Sequence, residues 1–286
     1  MSSTIFISEK KRKSRSVSHH PGKGSVILLA ILLVFLLGAV LLLFLPAFRV
    51  ENIIVEGNVT IDPIGVADAS EISKGDHLMA RLGGGIIRLF SMRYGGVEDR
   101  LTKQFPYIKN IRVEAEIPST VRISIEERYK IAYLDVPDGF AVIDTEGYIL
   151  DIRTSSPPQG VPIIYGIPVR TAVLGKPISL SDDRGLNRCL IILGAVLSAD
   201  SVKAGDNGYD LMSCIVSVRY IGDNTNYLTV KPAGSANQFL VKIGSLTNIR
   251  EDMAWLRHAL SGNKIEYLEN GVLDMTGADY TLRENT

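Results

Sequence analysis

The chain has 286 residues, 46% of them hydrophobic, with 31 Lys+Arg against 31 Asp+Glu. That balance excludes a disordered or collagen-like chain, and two cysteines exclude a disulfide-stapled mini-protein or a Cys-rich zinc module. The zero net charge is unevenly spread. Residues 1–25 carry +5 (Lys10, Lys11, Arg12, Lys13, Arg15 and Lys23 against Glu9), so the remainder sums to −5. A basic head on a mildly acidic body suggests a membrane topology signal and argues against nucleic-acid binding.

Residues 26–45 read VILLAILLVFLLGAVLLLFL, without a charge, hydroxyl or amide. As a helix rising about 1.5 Å per residue, this run spans roughly 30 Å, the thickness of a bilayer's hydrocarbon core. Its Leu, Ile, Val and Phe favour insertion by on the order of 5–10 kcal/mol. The basic cluster precedes the run, which places residues 1–25 in the cytoplasm as a short tail. The run is longer than a signal-peptide core and ends in Leu45-Pro46-Ala47-Phe48 without a small-residue cleavage pattern, so it reads as an uncleaved anchor. Everything from Pro46 onward then lies outside, where disulfides can form. Cys189 falls in a helical pattern and Cys214 opens a strand pattern; a bridge between them and two buried free thiols both fit.

The first outer stretch, residues 48–128, begins with a strand containing Val50, Ile53 and Val55 and ended by Gly57-Asn58. Asp62-Pro63 supplies an N-cap and a first-turn proline for a short helix to about Ser70. A second helix fits residues 97–105, with Leu101 and Phe105 on one face and Pro106 beyond its end. Next, IRVEAEIPSTVRISIEER alternates: Ile111, Val113, Ala115 and Ile117 on one arm, Val121, Ile123 and Ile125 on the other, joined by a turn at Pro118-Ser119-Thr120. This is an antiparallel hairpin with one wet face and one covered face. The segment at 79–96, containing Gly83-Gly84-Gly85, fits either a loop or an extra helical turn.

In residues 129–286, strand patterns cover 129–134, the hairpin FAVIDTEGYIL at 140–150, and 162–167. An amphipathic helix follows at 182–199, with Leu186, Leu190, Leu193 and Leu197 on its stripe. Strands fit 213–220, 227–230 and 239–243. A helix fits 248–260, with Ile249, Met253, Leu256 and Leu260 facing inward and Trp255 expected in the core. Strands at 271–276 and 279–284 close the chain.

Catalytic patterns are weak. Ser261-Gly-Asn-Lys264 is an isolated Ser-x-x-Lys with no accompanying Ser-Asp-Asn or Lys-Thr-Gly. His77 and His258 form no His-x-x-x-His pair, and the glycine triplet lacks the Lys of a phosphate loop. No catalytic residue, metal site or cofactor is assigned, and neither nucleic acid nor a small-molecule substrate is expected. The positive signal is the closing strand, because a C-terminal strand is often a sheet edge that another chain can complete. Tyr280 and Leu282 share one side of it, with Leu273 and Met275 on its neighbour; these four fit either partner contact or core packing. Arg283 and Glu284 fit edge protection or partner contact.

The order strand, helix, helix, strand, strand, with VEGN at 55–58, YIKNIRVE at 107–114, IPST at 117–120 and IEER at 125–128, resembles a polypeptide-transport-associated (POTRA) domain. More narrowly, it resembles that of the bacterial cell-division FtsQ/DivIB family. VIDTEGYIL, VKIG before a helix, and GVLDMTGADYTLRE at 271–284 resemble features of that family's second domain. The resemblance implies an α+β protein: a cytoplasmic tail (1–25), a transmembrane helix (26–45), a POTRA-like β-α-α-β-β domain (48–128), and a mixed β-rich domain with two helices (129–286). It implies a non-enzymatic, single-pass protein of the cytoplasmic membrane at the division septum. Its partners would be the bilayer and FtsB/DivIC-like and FtsL-like proteins. Strand addition at Tyr280, Leu282, Arg283, Leu273 and Met275 is the implied mode of capture. The competing readings are a POTRA-bearing polypeptide-handling component and a membrane-anchored cell-wall enzyme.

Overall fold

A computed structural model describes residues 23–43, 46–155, 157, 160–201, 208–262 and 271–283. The basic cluster Lys10, Lys11, Arg12, Lys13 and Arg15, and also Lys264 and Glu284, lie outside the described residues. Lys23–Leu43 is a single helix, α1, of 21 residues, about 31 Å long at 1.5 Å per residue. Every side chain described in it is solvent-exposed. Among the fully described residues no helix is long and apolar enough to cross a membrane.

The next sheet has three strands in the order β1-β3-β2. The elements run β1 (Asn52–Glu56), α2 (Pro63–Ala69), α3 (Ile86–Phe90), α4 (Gly95–Gln104), β2 (Ile108–Glu116) and β3 (Thr120–Glu127). Asp62 caps α2, its carboxylate accepting from the amides of Ile64 at 3.2 Å and Gly65 at 3.0 Å. β1 lies parallel to β3 with Asn52 opposite Thr120, and β2 is antiparallel with Ile111 opposite Ile125. Val66, Leu78, Tyr94, Leu101, Val113, Val121 and Ile123 form the core between sheet and helices. Ile117, expected on the covered face, is instead 61% exposed. It follows the last residue of β2, in the hairpin turn. The uncertain 79–96 stretch contains the single-turn helix α3.

The second sheet has nine strands in the order β14-β13-β12-β11-β10-β7-β4-β5-β6. In chain order these and the helices are β4 (Ala132–Val136), β5 (Gly139–Ile143), β6 (Ile149–Arg153), β7 (Ile163–Tyr165), the small ribbon β8 (Val169–Thr171) and β9 (Ser179–Leu180), α5 (Arg184–Ser201), α6 (Leu211–Cys214), β10 (Ile215–Gly222), β11 (Thr225–Val230), β12 (Phe239–Ile243), α7 (Ile249–Ser261), β13 (Val272–Asp274) and β14 (Thr281–Arg283). Leu186, Ile192, Leu193 and Val196 of α5 and Met253 and Leu256 of α7 share one core with Leu134, Val218, Leu228 and Val241 of the strands. The buried Arg257 of α7 donates to Asp200 of α5 at 3.1 Å and to the Tyr209 carbonyl at 2.8 Å, fixing the two helices together. Cys214 ends a one-turn helix capped by Asp210 instead of opening a strand. Both cysteines are buried and unbridged.

The two sheets meet at consecutive residues of opposite charge. Glu127 ends β3 and is only 4% exposed. Its carboxylate accepts from the amides of Val59 at 2.7 Å, Ile61 at 2.9 Å and Thr60 at 2.9 Å. Burial alone would raise its pKa, but these amide donors outweigh it and hold the carboxyl below its ordinary 4.5. Arg128, next in the chain, donates to Asp144 at 2.6 Å and Glu146 at 3.0 Å, and its guanidinium lies 3.9 Å from the Tyr148 ring centre. Lys109 of β2 also reaches Glu146 at 2.9 Å. Beneath these charges, Tyr107 packs against Tyr133, Val142 and Leu150.

Two expected outcomes follow from this junction. Glu127→Gln should cost about 2 kcal/mol at neutral pH, since hydrogen bonds to a charged group contribute that much each way they are counted. Because the folded pKa lies below 4.5, the stabilisation is present above that value and lost as pH falls through the folded pKa. Urea titrations at pH 7 and 3 should therefore show the gap between the two proteins closing in acid. Arg128→Met keeps the aliphatic stem but leaves buried Asp144 without its cation, and should cost about 3 kcal/mol in the same assay.

Candidate interaction edge

The local chemistry of the last strand decides what the end of the nine-stranded sheet presents. β14 pairs antiparallel with β13, Leu273 opposite Leu282 and Asp274 opposite Thr281. Among the described residues no strand pairs with its outer side. All three of its residues are exposed, Leu282 at 52%. The turn before it is held by Asp274, which accepts from the Thr276 hydroxyl at 2.5 Å and amide at 3.0 Å and pairs with Lys242 of β12 at 3.3 Å. The Thr276 hydroxyl, ahead of Lys242, keeps the Asp274 carboxyl below its usual range.

Helix α7 supports this edge. The Tyr280 hydroxyl donates to Asp252 of α7 at 2.6 Å, and the Tyr280 ring meets Trp255 edge-on with ring centres 4.7 Å apart. Burial, and then the bond to Asp252, push the phenol up to about 12, so Tyr280 remains a neutral donor at physiological pH. Trp255, expected in the core, is 41% exposed. It lies off the Ile249, Met253, Leu256 and Leu260 stripe that faces the sheet, and that spacing was the available signal for an outward tryptophan. Asp252 and Trp255 are the members of the edge that sequence reasoning missed.

The five residues singled out in the sequence divide into two groups. Leu282 and Arg283 are exposed on β14, and Tyr280 braces the strand against α7. Leu273 and Met275 are 3% and 5% exposed and belong to the core, so they support the edge from within. The opposite sheet edge, β6, is less open. The Ile149 amide donates to the Lys176 carbonyl at 3.0 Å and the Ile149 carbonyl accepts from Gly175 at 3.0 Å. Asp151 and Arg153 pair with each other along the same strand at 2.8 Å. Such charges and loop cover discourage strand pairing. Among the described residues no group of three His, Cys, Asp or Glu side chains is placed to hold a metal.

The chain thus carries a three-stranded sheet backed by helices, followed by a nine-stranded mixed sheet whose β14 edge is unpaired among the described residues. Residues 48–128 match the POTRA domain of FtsQ type. Cell division protein DivIB of Clostridium botulinum (strain Loch Maree) is 22% identical over 276 residues, 96% of this chain and 94% of that protein. DivIB of Clostridium acetobutylicum is 26% identical over 166 residues, which is 58% of this chain and 61% of that relative. Cell division protein FtsQ of Corynebacterium glutamicum is 31% identical over 141 residues, 49% and 57% of the two chains. Residues 48–128 are thus a POTRA domain of FtsQ type, and nearly the whole chain is similar to proteins named DivIB.

Tyr280→Phe tests the brace. Loss of its bond to Asp252 should lower stability by about 1 kcal/mol at pH 7. Since the folded pKa near 12 exceeds the ordinary 10.0, this contribution persists below pH 10 and fades as pH rises toward 12. Chemical denaturation at pH 7 and 11 should show the difference shrinking in alkali.

Proposed function

We propose that the protein is a non-enzymatic component of the bacterial division machinery that captures partner polypeptides by strand addition at β14. The open, exposed β14 carries this reading, because its main-chain groups can extend the sheet while Leu282 and Trp255 offer apolar contact. The partners that fit are FtsB/DivIC-like and FtsL-like division proteins. The names borne by the relatives, cell division protein DivIB and FtsQ, support the setting.

In this reading α1 is a membrane anchor. Its 21-residue backbone length matches a hydrocarbon core of about 30 Å, and the uncharged sequence from 26 onward is favourable in lipid. The basic tail stays in the cytoplasm, and two modules, 48–128 and 129–286, work outside at the septum.

The test is replacement in cells depleted of the protein. Depletion should give filaments, and wild-type complementation should restore a midcell signal and division. Leu282→Lys should weaken capture of an FtsB-like partner by about ten-fold, equivalent to ~1.4 kcal/mol, and leave the filaments uncorrected. As an exposed substitution it should change stability by no more than about 0.5 kcal/mol. Normal division after depletion, or undiminished capture by the variant, counts against the proposal.

A further inference from the structure

The 79–96 segment has no part in the reading above, yet it carries the most conspicuous apolar exposure in the first module. In α3, Ile86 is 76%, Ile87 83%, Leu89 48% and Phe90 84% exposed. Four large apolar side chains on one helical turn exceed the scattered exposure that any surface shows. The loop is nevertheless firmly built. The Gly83 amide donates to the Arg93 carbonyl at 3.0 Å, Gly95 to Gly83 at 2.9 Å, and Arg93 to Arg88 at 2.8 Å. At Gly84 an added Cβ would come within 2.7 Å of the Gly95 Cα, so the base of the loop closes by direct backbone contact.

The loop is also tied to the residues that follow α1. The Tyr94 hydroxyl donates to the Leu78 carbonyl at 2.5 Å, and the Leu78 amide donates to the Phe48 carbonyl at 2.8 Å. On its other side, the Tyr94 amide donates to Val113 and the Ala115 amide to Met92, two to four residues from the exposed Ile117. The β2–β3 hairpin turn is itself bound to the start of β1, the Glu51 amide donating to Ser119 at 2.8 Å. α3 and Ile117 therefore share the end of the module at which the chain leaves α1. Four residues, 44–47, separate Leu43 from Phe48, and these five Cα–Cα steps reach at most about 18 Å. The headgroup layer takes up several ångströms of that.

We infer that α3, with Ile117 beside it, is immersed in the outer interface of the bilayer and fixes the first module against the membrane. The occupant of this face is lipid. The short leash from α1 brings the bilayer to this end, and the neighbouring arginines do not add isolated charge: Arg88 pairs with Asp99 at 3.0 Å and Arg93 with Glu98 at 2.8 Å. This inference rests on α1 being the anchor.

The experiment uses the full chain, reconstituted in phosphatidylcholine–phosphatidylglycerol vesicles, with an environment-sensitive fluorophore on one introduced cysteine at a time. Cys189 and Cys214 are buried and should remain unlabelled. The sites are Leu33→Cys in α1, Ile87→Cys and Phe90→Cys in α3, and Val59→Cys. Val59 is 72% exposed and held by Glu127, about 25 Å along β3 from the hairpin turn. Lipids bearing a nitroxide should remove most of the signal at 33, 87 and 90 and leave 59 bright. Quenching at 33 with none at 87 or 90 overturns the inference, leaves the anchor intact, and assigns α3 to a protein partner. No quenching at 33 overturns the anchor and this inference together.

Discussion

The arrangement of this protein depends on two adjacent residues of opposite charge. Successive side chains of an extended chain point to opposite sides. Glu127 therefore turns into the first module, where it accepts from three consecutive amides, and Arg128 turns into the second, against Asp144, Glu146 and Tyr148. Each is largely withdrawn from water, and the side-chain hydrogen bonds of each go to groups of one module, with Arg128 Nε left without a partner among the described residues. Contacts that cross the junction are the Lys109–Glu146 pair at 2.9 Å and the Arg128 amide donating to the Tyr107 carbonyl at 2.7 Å, and a change of angle between the modules would strain these. The contact of Tyr107 with Tyr133, Val142 and Leu150 adds apolar area to the same hinge. Only four residues, Arg128 to Ile131, join β3 to β4, which keeps these contacts close to the crossing point.

Much of this fold was legible in the sequence. The alternation from Ile111 to Ile125 specified the hairpin, Asp62-Pro63 specified the start of α2, and the leucine stripe specified α5, because these signals are local. The order of the nine strands was not legible. β7 pairs in parallel with β4, with Tyr133 opposite Ile163, and with β10, with Ser217 opposite Ile163, and nothing within a segment encodes a partner that far along the chain. Ile117 obeyed the alternation and yet is exposed, because alternation gives a residue's face and says nothing about whether a helix covers it. Cys214 was misread for a similar reason: Asp210 caps a turn too short for a helical period to register.

The candidate edge was half legible. Tyr280 and Leu282 were placed on the closing strand by position and pattern alone. That Leu273 and Met275 lie beneath α7, and that Asp252 and Trp255 complete the edge from above, depends on where α7 crosses the sheet. A helix stripe indicates which side packs inward and leaves open what the flank touches.

The location of the junction also bears on the proposed capture at β14. Asp144 and Glu146 sit in the connection between β5 and β6, so the first module is attached beside the β6 end of the sheet. β14 is eight strand spacings away, roughly 38 Å at about 4.8 Å each and somewhat less once the sheet twists. The end near the junction is covered by residues 175 and 176 and carries Asp151 and Arg153; the remote end is left bare. An added strand at β14 consequently grows the sheet away from the first module and disturbs neither Glu127 nor Arg128. In the proposed function, the junction contacts at one end and the unpaired edge at the other therefore place partner capture and module attachment at opposite ends of one sheet.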